Sequence, residues 1–235
     1  MGLLTHGGIT KPSGSVKFQV IHPEPEAPPS DGKISGLKLL SRGLPWFGQP
    51  KEIFTWRLKN FYRLVIPALK IQVSQLLKLS HIHSALYLNV IRANGDVVQL
   101  GLASLRVVTT AGVGFIVDAF QNLVEVEIQK YHGIGTGTIA ENATDTALGT
   151  ELTTQYNPDS TRATGTTIEG ASANIYRTVG TNTVDAAVAI TEHGILSQAA
   201  TGGGVLLDRS VFAVINLASG DSLASTYDLT FPGGS

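Results

Sequence analysis

The sequence predicts a mainly β protein: an antiparallel β-sandwich joined to a small α/β region and preceded by a long, extended N-terminal arm. Three observations predict it. Eight of the ten prolines fall within the first 67 residues, where they remove backbone donors and restrict their neighbours. The second half is a succession of short Thr- and Val-rich runs punctuated by Gly, Ser and Asp turns. The apolar fraction of 43% over 235 residues is enough for a real core.

Residues 1–62 form the expected arm. VIHPEPEAPPSDGK excludes helix and disfavours strand, leaving polyproline-like chain. The same front holds both tryptophans, in LPWFGQPKEIFTWRL. Aromatics on a segment too proline-rich to build its own core need a host surface. Trp46, Phe47, Phe54, Trp56, Phe61 and Tyr62, with Arg57 and Lys59 among them, are therefore the expected partner-binding anchors. The competing reading folds these residues back on their own domain.

Residues 63–122 form the expected strand and helix region. Ile71, Leu76, Leu79 and Ile82 could share a helix face before the pattern turns to alternation. Asn94-Gly95 suits a type I′ hairpin between LYLNVI and VVQLGL, and LRVVTT reads as a third strand. Thr110 is placed to cap a helix through AGVGFIVDAFQN, with Val113, Ile116, Val117 and Phe120 on one face.

Residues 123–235 carry the expected sandwich. Its strands are VEVEIQKYHGIG, RATGTTIE, ANIYRTVG, VDAAVAITEHGIL, GVLLDRSVFAVINL and SLASTYDLTF. The last alternates cleanly, predicting a buried face of Leu223, Ser225, Tyr227, Leu229 and Phe231.

Charge divides the chain. Residues 1–90 hold eleven Lys or Arg against four acidic residues, which is +7; the remainder holds six against fourteen, which is −8. A basic front and an acidic body suit self-assembly or docking on a larger acidic surface. The basic residues are dispersed rather than clustered, which argues against nucleic acid. There is no cysteine, so neither disulfides nor thiolate metal sites are available. The first residues lack the apolar core of a signal peptide, and no run of about 18 apolar residues offers a bilayer span.

Chemistry is sparse. YHGIGTGTIAENATD spaces Gly133, Gly135 and Gly137 almost as a dinucleotide fingerprint, but Thr138 replaces the third glycine and no lysine follows. Glycines that let a strand leave its sheet explain the run better. Asp145 could cap a short helical turn. His81 and His83 could supply half a zinc site, but no third ligand follows. Glu192-His193 has the wrong order for a zincin, Glu125 and Glu127 read as a solvated strand face, and Ser210 lacks a nucleophile elbow. No catalytic, cofactor-binding or metal residue is expected.

Three stretches carry a resemblance: RVVTTAGVGFIVDAFQN, YHGIGTGTIAENATDTALGTEL, and ITEHGILSQAATGGGVLLDRSVFAVINLASGDSLASTYDLTF. Through a G-x-G-T loop, a TALGTE segment, an L-x-x-R-x-V-F strand and an N-L-x-x-G-D-x-L turn, residues 104–231 resemble virion structural proteins of tailed bacteriophages. Leu196 after Ile195 departs from the phenylalanine frequent in fibre-type domains. The resemblance implies assembly without catalysis or cofactor. The expected role is a capsid cement or decoration protein on the phage head, made in the bacterial cytoplasm. It would bind major capsid protein and its own copies, as a homo-oligomer and, by analogy, a trimer. The alternative is a tail, collar or fibre component using the loop from Gly133 to Asn157 as connector or glycan site.

Overall fold

The computed structural model describes residues 50–77, 82–106 and 108–232. It is mainly β, as the sequence predicts. In chain order it contains helix α1 (Lys51–Leu76), strands β1 (His83–Ile91) and β2 (Val97–Arg106), and helix α2 (Thr110–Phe120). A 3-10 turn (Val126–Ile128) leads to β3 (Tyr131–Gly135), β4 (Ala163–Thr164), β5 (Thr166–Glu169) and β6 (Ile175–Thr183). Strands β7 (Val188–Leu196), β8 (Leu206–Leu217) and β9 (Ser222–Thr230) complete it. The strands form a five-stranded sheet ordered β2-β1-β9-β6-β5 and a four-stranded sheet ordered β4-β3-β7-β8, all pairings antiparallel.

The sheets enclose a core that includes Leu86, Leu88, Ile134, Ile190, Ile195, Phe212, Leu223 and Tyr227. The alternation of β9 holds: Leu223, Ser225, Tyr227 and Leu229 are buried. On its other face Asp228 is buried too, because Arg177 pairs with it at 2.6 Å. The expected strand RATGTTIE divides at Gly165, with β4 in one sheet and β5 in the other. A Cβ there would overlap Thr178 Oγ1, so the crossing chain needs glycine.

Several expectations are corrected. Residues 51–62, assigned to the extended arm, are the first half of α1. Pro67 does not stop this helix, because Leu64, Ala68 and Ile71 bury a stripe against Ala85, Leu102 and Leu105. Tertiary burial outweighs the roughly 3 kcal/mol penalty of an internal proline. LRVVTT is not a third strand: Leu105 and Arg106 end β2. Strands β1 and β2, placed in the 63–122 region, pair into one sheet with β9, so that region and the sandwich share a framework.

Local details also differ. Only Gly95 of the β1–β2 turn has positive φ, and Gly95 N–H donates to Arg92 O at 2.8 Å. A three-residue loop with a left-handed glycine therefore replaces the type I′ turn. The cap of α2 is Thr109, not Thr110: its Oγ1 accepts Gly112 N–H at 2.9 Å and donates to Leu206 O at 2.6 Å. Gly112, Phe115 and Ile116 are the buried residues of α2, whereas Val113, Val117 and Phe120 face solvent. The reason is Gly112, which lets the helix approach the backbone of Leu207. Of VEVEIQK, Val126–Ile128 form a 3-10 turn and no residue is strand.

Candidate functional site

The glycines of YHGIGTG do cradle an anion, and it is the chain's own Glu192. On β7, Glu192 and Gly194 point away from the sandwich interior, alongside Gly133 and Gly135 of the neighbouring β3. This glycine-paved face lets the loop of residues 136–162 lie flat on the sheet. A Cβ at Gly133 would press on Leu196 and Leu148, and one at Gly135 would overlap Thr150 O and Glu192. The loop then turns its amides inward. Gly137 N–H and Thr150 N–H donate to Glu192 Oε1 at 2.9 and 2.7 Å, and Gly149 N–H donates to Oε2 at 2.9 Å.

Arg209, directly across from Gly194 on β8, closes the arrangement. Its Nε donates to Glu192 Oε2 at 2.9 Å and its Nη1 to Asp145 Oδ2 at 2.9 Å. Burial alone would lower the guanidinium pKa, but the hydrogen bonds and charges of Asp145 and Glu192 prevail and raise it. Asp145 is thus a partner of Arg209 rather than a helix cap, and its Oδ2 also accepts Asn142 N–H. A second lock lies beside the first: Arg162 donates to both carboxylate oxygens of Glu151 and to the carbonyls of Gln198 and Gly203. Tyr156 fixes the strand exit, its hydroxyl donating to Ile134 O and accepting Ile134 N–H.

The inward-facing side of the same sheet holds the histidines. His132 Nδ1 lies 3.0 Å from His193 Nε2, and His132 Nε2 lies 3.2 Å from Thr178 Oγ1 of the opposite sheet. Both rings are fully buried. Desolvation lowers His132 to about 3 and, with the neighbouring His132, holds His193 well below the usual range. The pair is a neutral cross-sheet hydrogen-bond bridge. Asp208, also inward, accepts from Ser84 Oγ at 2.7 Å and Ser210 Oγ at 3.2 Å. Burial raises it to about 6 against the opposing pull of those hydroxyls and Arg106. Among the described residues no group of three or more His, Asp or Glu is arranged to hold a metal ion. Glu192, His132, His193 and Asp208 have no surface open to a substrate.

The anchors expected on the front separate into three groups. Trp46 and Phe47 lie outside the described residues, as do His81 and the proline-rich run. Trp56 and Arg57 are buried against their own domain, correcting their assignment as partner anchors. The Trp56 indole donates to Ala213 O at 2.8 Å on edge strand β8. Phe54 and Phe61 are half-buried, while Lys59 and Tyr62 face solvent. The residue that fixes α1 is one the sequence reading missed. Asn60 donates to Ala103 O of β2 at 2.6 Å and accepts Ala213 N–H of β8 at 3.2 Å. It bridges the edge strands of the two sheets, supplying partners that open edges would otherwise offer to another chain. The spacing Trp56, Asn60, Leu64, Ala68, Ile71 was a readable helical stripe.

With that stripe turned inward, the outer side of α1 presents Tyr62, Ile66, Leu69, Val73 and Leu76 to solvent. Lys51, Lys59, Arg63 and Lys70 on this helix are exposed as well. No described helix is long and apolar enough to cross a membrane. Beside α2 an apolar groove of about 500 Å³ runs between Phe120, Val126, Ile168 and Phe231. The chain matches no protein-family model, no curated protein and no solved structure.

Proposed function

We propose that the chain is a non-enzymatic structural subunit of a tailed-bacteriophage particle: a cement or decoration protein that binds the shell through its N-terminal front, of which α1 is the described part. One observation carries the reading. The buried charged side chains of the sandwich lock its own loop and sheets together, while a continuous row of exposed apolar side chains lines up on a basic helix. Such a distribution suits a part that holds other parts rather than one that turns over a substrate.

The charge division sharpens it. Helix α1 carries five basic residues against Glu52, which is 5 − 1 = +4, whereas residues 1–49 carry 5 − 3 = +2. The basic front is thus centred on a helix with a fixed root, and the acidic body of one copy or an acidic shell surface is its complement. The segments that resemble virion proteins also include Gly149, Thr150, Glu192 and Arg209, the residues that hold the loop down.

Copy number and position in the purified particle test the reading. Hundreds of copies over the head are expected, measured against the major capsid band and by imaging. A dozen or fewer at a vertex or on the tail would overturn the cement role in favour of a tail or collar part. Removing residues 1–49, which leaves Trp56 and Asn60 on their edge strands, should give a folded domain with weakened binding to particles; undiminished binding would confine the contact to the described domain.

A further inference from the structure

We infer that the outer face of α1 is a self-association seam, through which two copies pair their α1 helices in parallel as a short two-stranded coiled coil. The inference concerns the front that the assembly reading uses, but it is a property of the purified chain and does not depend on a particle. Four features of the helix carry it.

First, the exposed apolar residues keep heptad register. Tyr62, Ile66, Leu69, Val73 and Leu76 follow one another at spacings of four, three, four and three. They are 74%, 64%, 48%, 51% and 78% exposed, so no described residue covers the row. A helix that merely rounded off a domain would place polar residues there. Second, the side-chain types are those of a two-stranded seam. The β-branched Ile66 and Val73 occupy one core position of the heptad, and Leu69 and Leu76 with Tyr62 occupy the other. One turn ahead, Lys59 takes the next core position, and Leu58, exposed on the same side, flanks it.

Third, charge selects the orientation. The positions flanking the seam carry Arg63 and Lys70 on one side and Val65 and Gln72 on the other. A parallel pair sets Arg63 and Lys70 opposite the neutral Val65 and Gln72 of the second copy. An antiparallel pair would set the cations of one copy against those of the other, which is unfavourable. Fourth, the bodies clear one another. Asn60, Leu64, Ala68 and Ile71, which hold the sandwich, lie on the opposite side of α1 from the seam. Two copies joined along it carry their sandwiches outward.

The seam spans about two heptads, or roughly 22 Å of helix. It is small, so a reversible dimer with Kd of about 1 to 100 µM is expected. That strength lets a front pair on a surface where many copies are held close, while remaining separable in dilute solution.

The full-length chain provides the test, because its lack of cysteine makes a single introduced thiol unambiguous. Sedimentation equilibrium over this concentration range should show monomer and dimer, and Ile66→Asp or Val73→Asp should leave only monomer with an unchanged circular dichroism spectrum. Under mild oxidation, Ile66→Cys and Val73→Cys should each form a disulfide-linked dimer, since in-register parallel pairing brings each residue to its own copy. A chain that is monomeric throughout would overturn the proposal, whether or not it floats with phosphatidylserine vesicles. So would a trimer, or a disulfide that forms only when Ile66→Cys is mixed with Leu69→Cys or Leu76→Cys, the signature of antiparallel pairing. Failure to find the protein in a phage head would leave the dimer standing, and failure to dimerise would leave the particle assignment standing.

Discussion

The glycine-paved face of the four-stranded sheet and the outer face of α1 are built on opposite rules. On the sheet side, Glu192 and Arg209 of the strands and Asp145, Glu151 and Arg162 of the loop close their hydrogen bonds within the chain, on one another and on nearby backbone. On the helix, the polar contacts of Trp56 and Asn60 close inward, and the apolar side chains are left outside. Charge concealed and hydrophobe displayed is the inverse of an isolated globular domain. The first face is complete within one chain, and the second leaves its apolar row exposed.

The largest expected effect breaks the closed face. Glu192→Ala leaves Arg209 without its buried carboxylate and the amides of Gly137, Gly149 and Thr150 without an acceptor. Losing one member of a buried pair costs about 3 to 5 kcal/mol. In a chain of this size that lowers Tm by roughly 10 °C. Calorimetry checks the loss, and limited proteolysis should now cut within residues 138–150. Glu192→Gln, which keeps an acceptor, should lose less. An unchanged melting temperature with a protected loop would mean that the loop is held by Leu148, Leu152 and Tyr156 alone.

A smaller effect, of opposite sign, comes from the inward side of the same fold. Asp208 is raised to about 6 by burial, against about 3.9 in an unfolded chain. The folded state therefore holds the proton more tightly, and stability from this group falls as pH rises from about 4 to about 6. Above that the buried carboxylate is a standing cost on the order of 2 to 3 kcal/mol. Asp208→Asn should stabilise the protein by about 2 kcal/mol at pH 8 and by almost nothing at pH 4, measured by urea denaturation. His132 and His193 act the other way. Both are depressed by burial, so their contribution is full above about 6.5 and is lost as pH falls towards 3. Wild-type protein should weaken on acidification, and the Asp208→Asn variant should weaken more steeply. A difference between the two that does not change with pH would remove Asp208 as a charged group.

How much of this the sequence reveals depends on the range of the interactions. The sandwich, its turns at 201–204 and 218–221 and the buried face of β9 follow from alternation and Gly placement, which are local signals. That Gly133, Gly135 and Gly137 serve a strand exit is also readable. Their anion is not, because Glu192 lies 55 residues beyond Gly137 and only pairing of β3 with β7 brings them together. The front misleads for a different reason. Proline density sets the expectation of extended chain through residue 62, although α1 contains only Pro67. With residues 51–62 taken as extended, neither the inner stripe through Asn60 nor the heptad row from Tyr62 can be seen. Both rows are present in the letters and need the helix to give them faces.

The smallest expected effect separates the two sides of α1. Tyr62 and Trp56 are aromatic residues six positions apart, and the helix sends them to different environments. Trp56 fills the opening between the sheets and donates to Ala213 O, while Tyr62 is 74% exposed, its ring meeting Phe61 edge-on at 6.0 Å. Tyr62→Ser therefore removes almost no intramolecular burial. Unfolding free energy measured at concentrations well below the dimer Kd should stay within about 0.5 kcal/mol of wild type. At high concentration the same substitution should lower apparent stability, because it weakens a contact that only the folded dimer makes. A loss of 2 kcal/mol or more in dilute solution would place Tyr62 within the core of its own chain and remove it from the seam. Equal stability at both concentrations would instead mean that Ile66, Leu69, Val73 and Leu76 sustain the pairing without it.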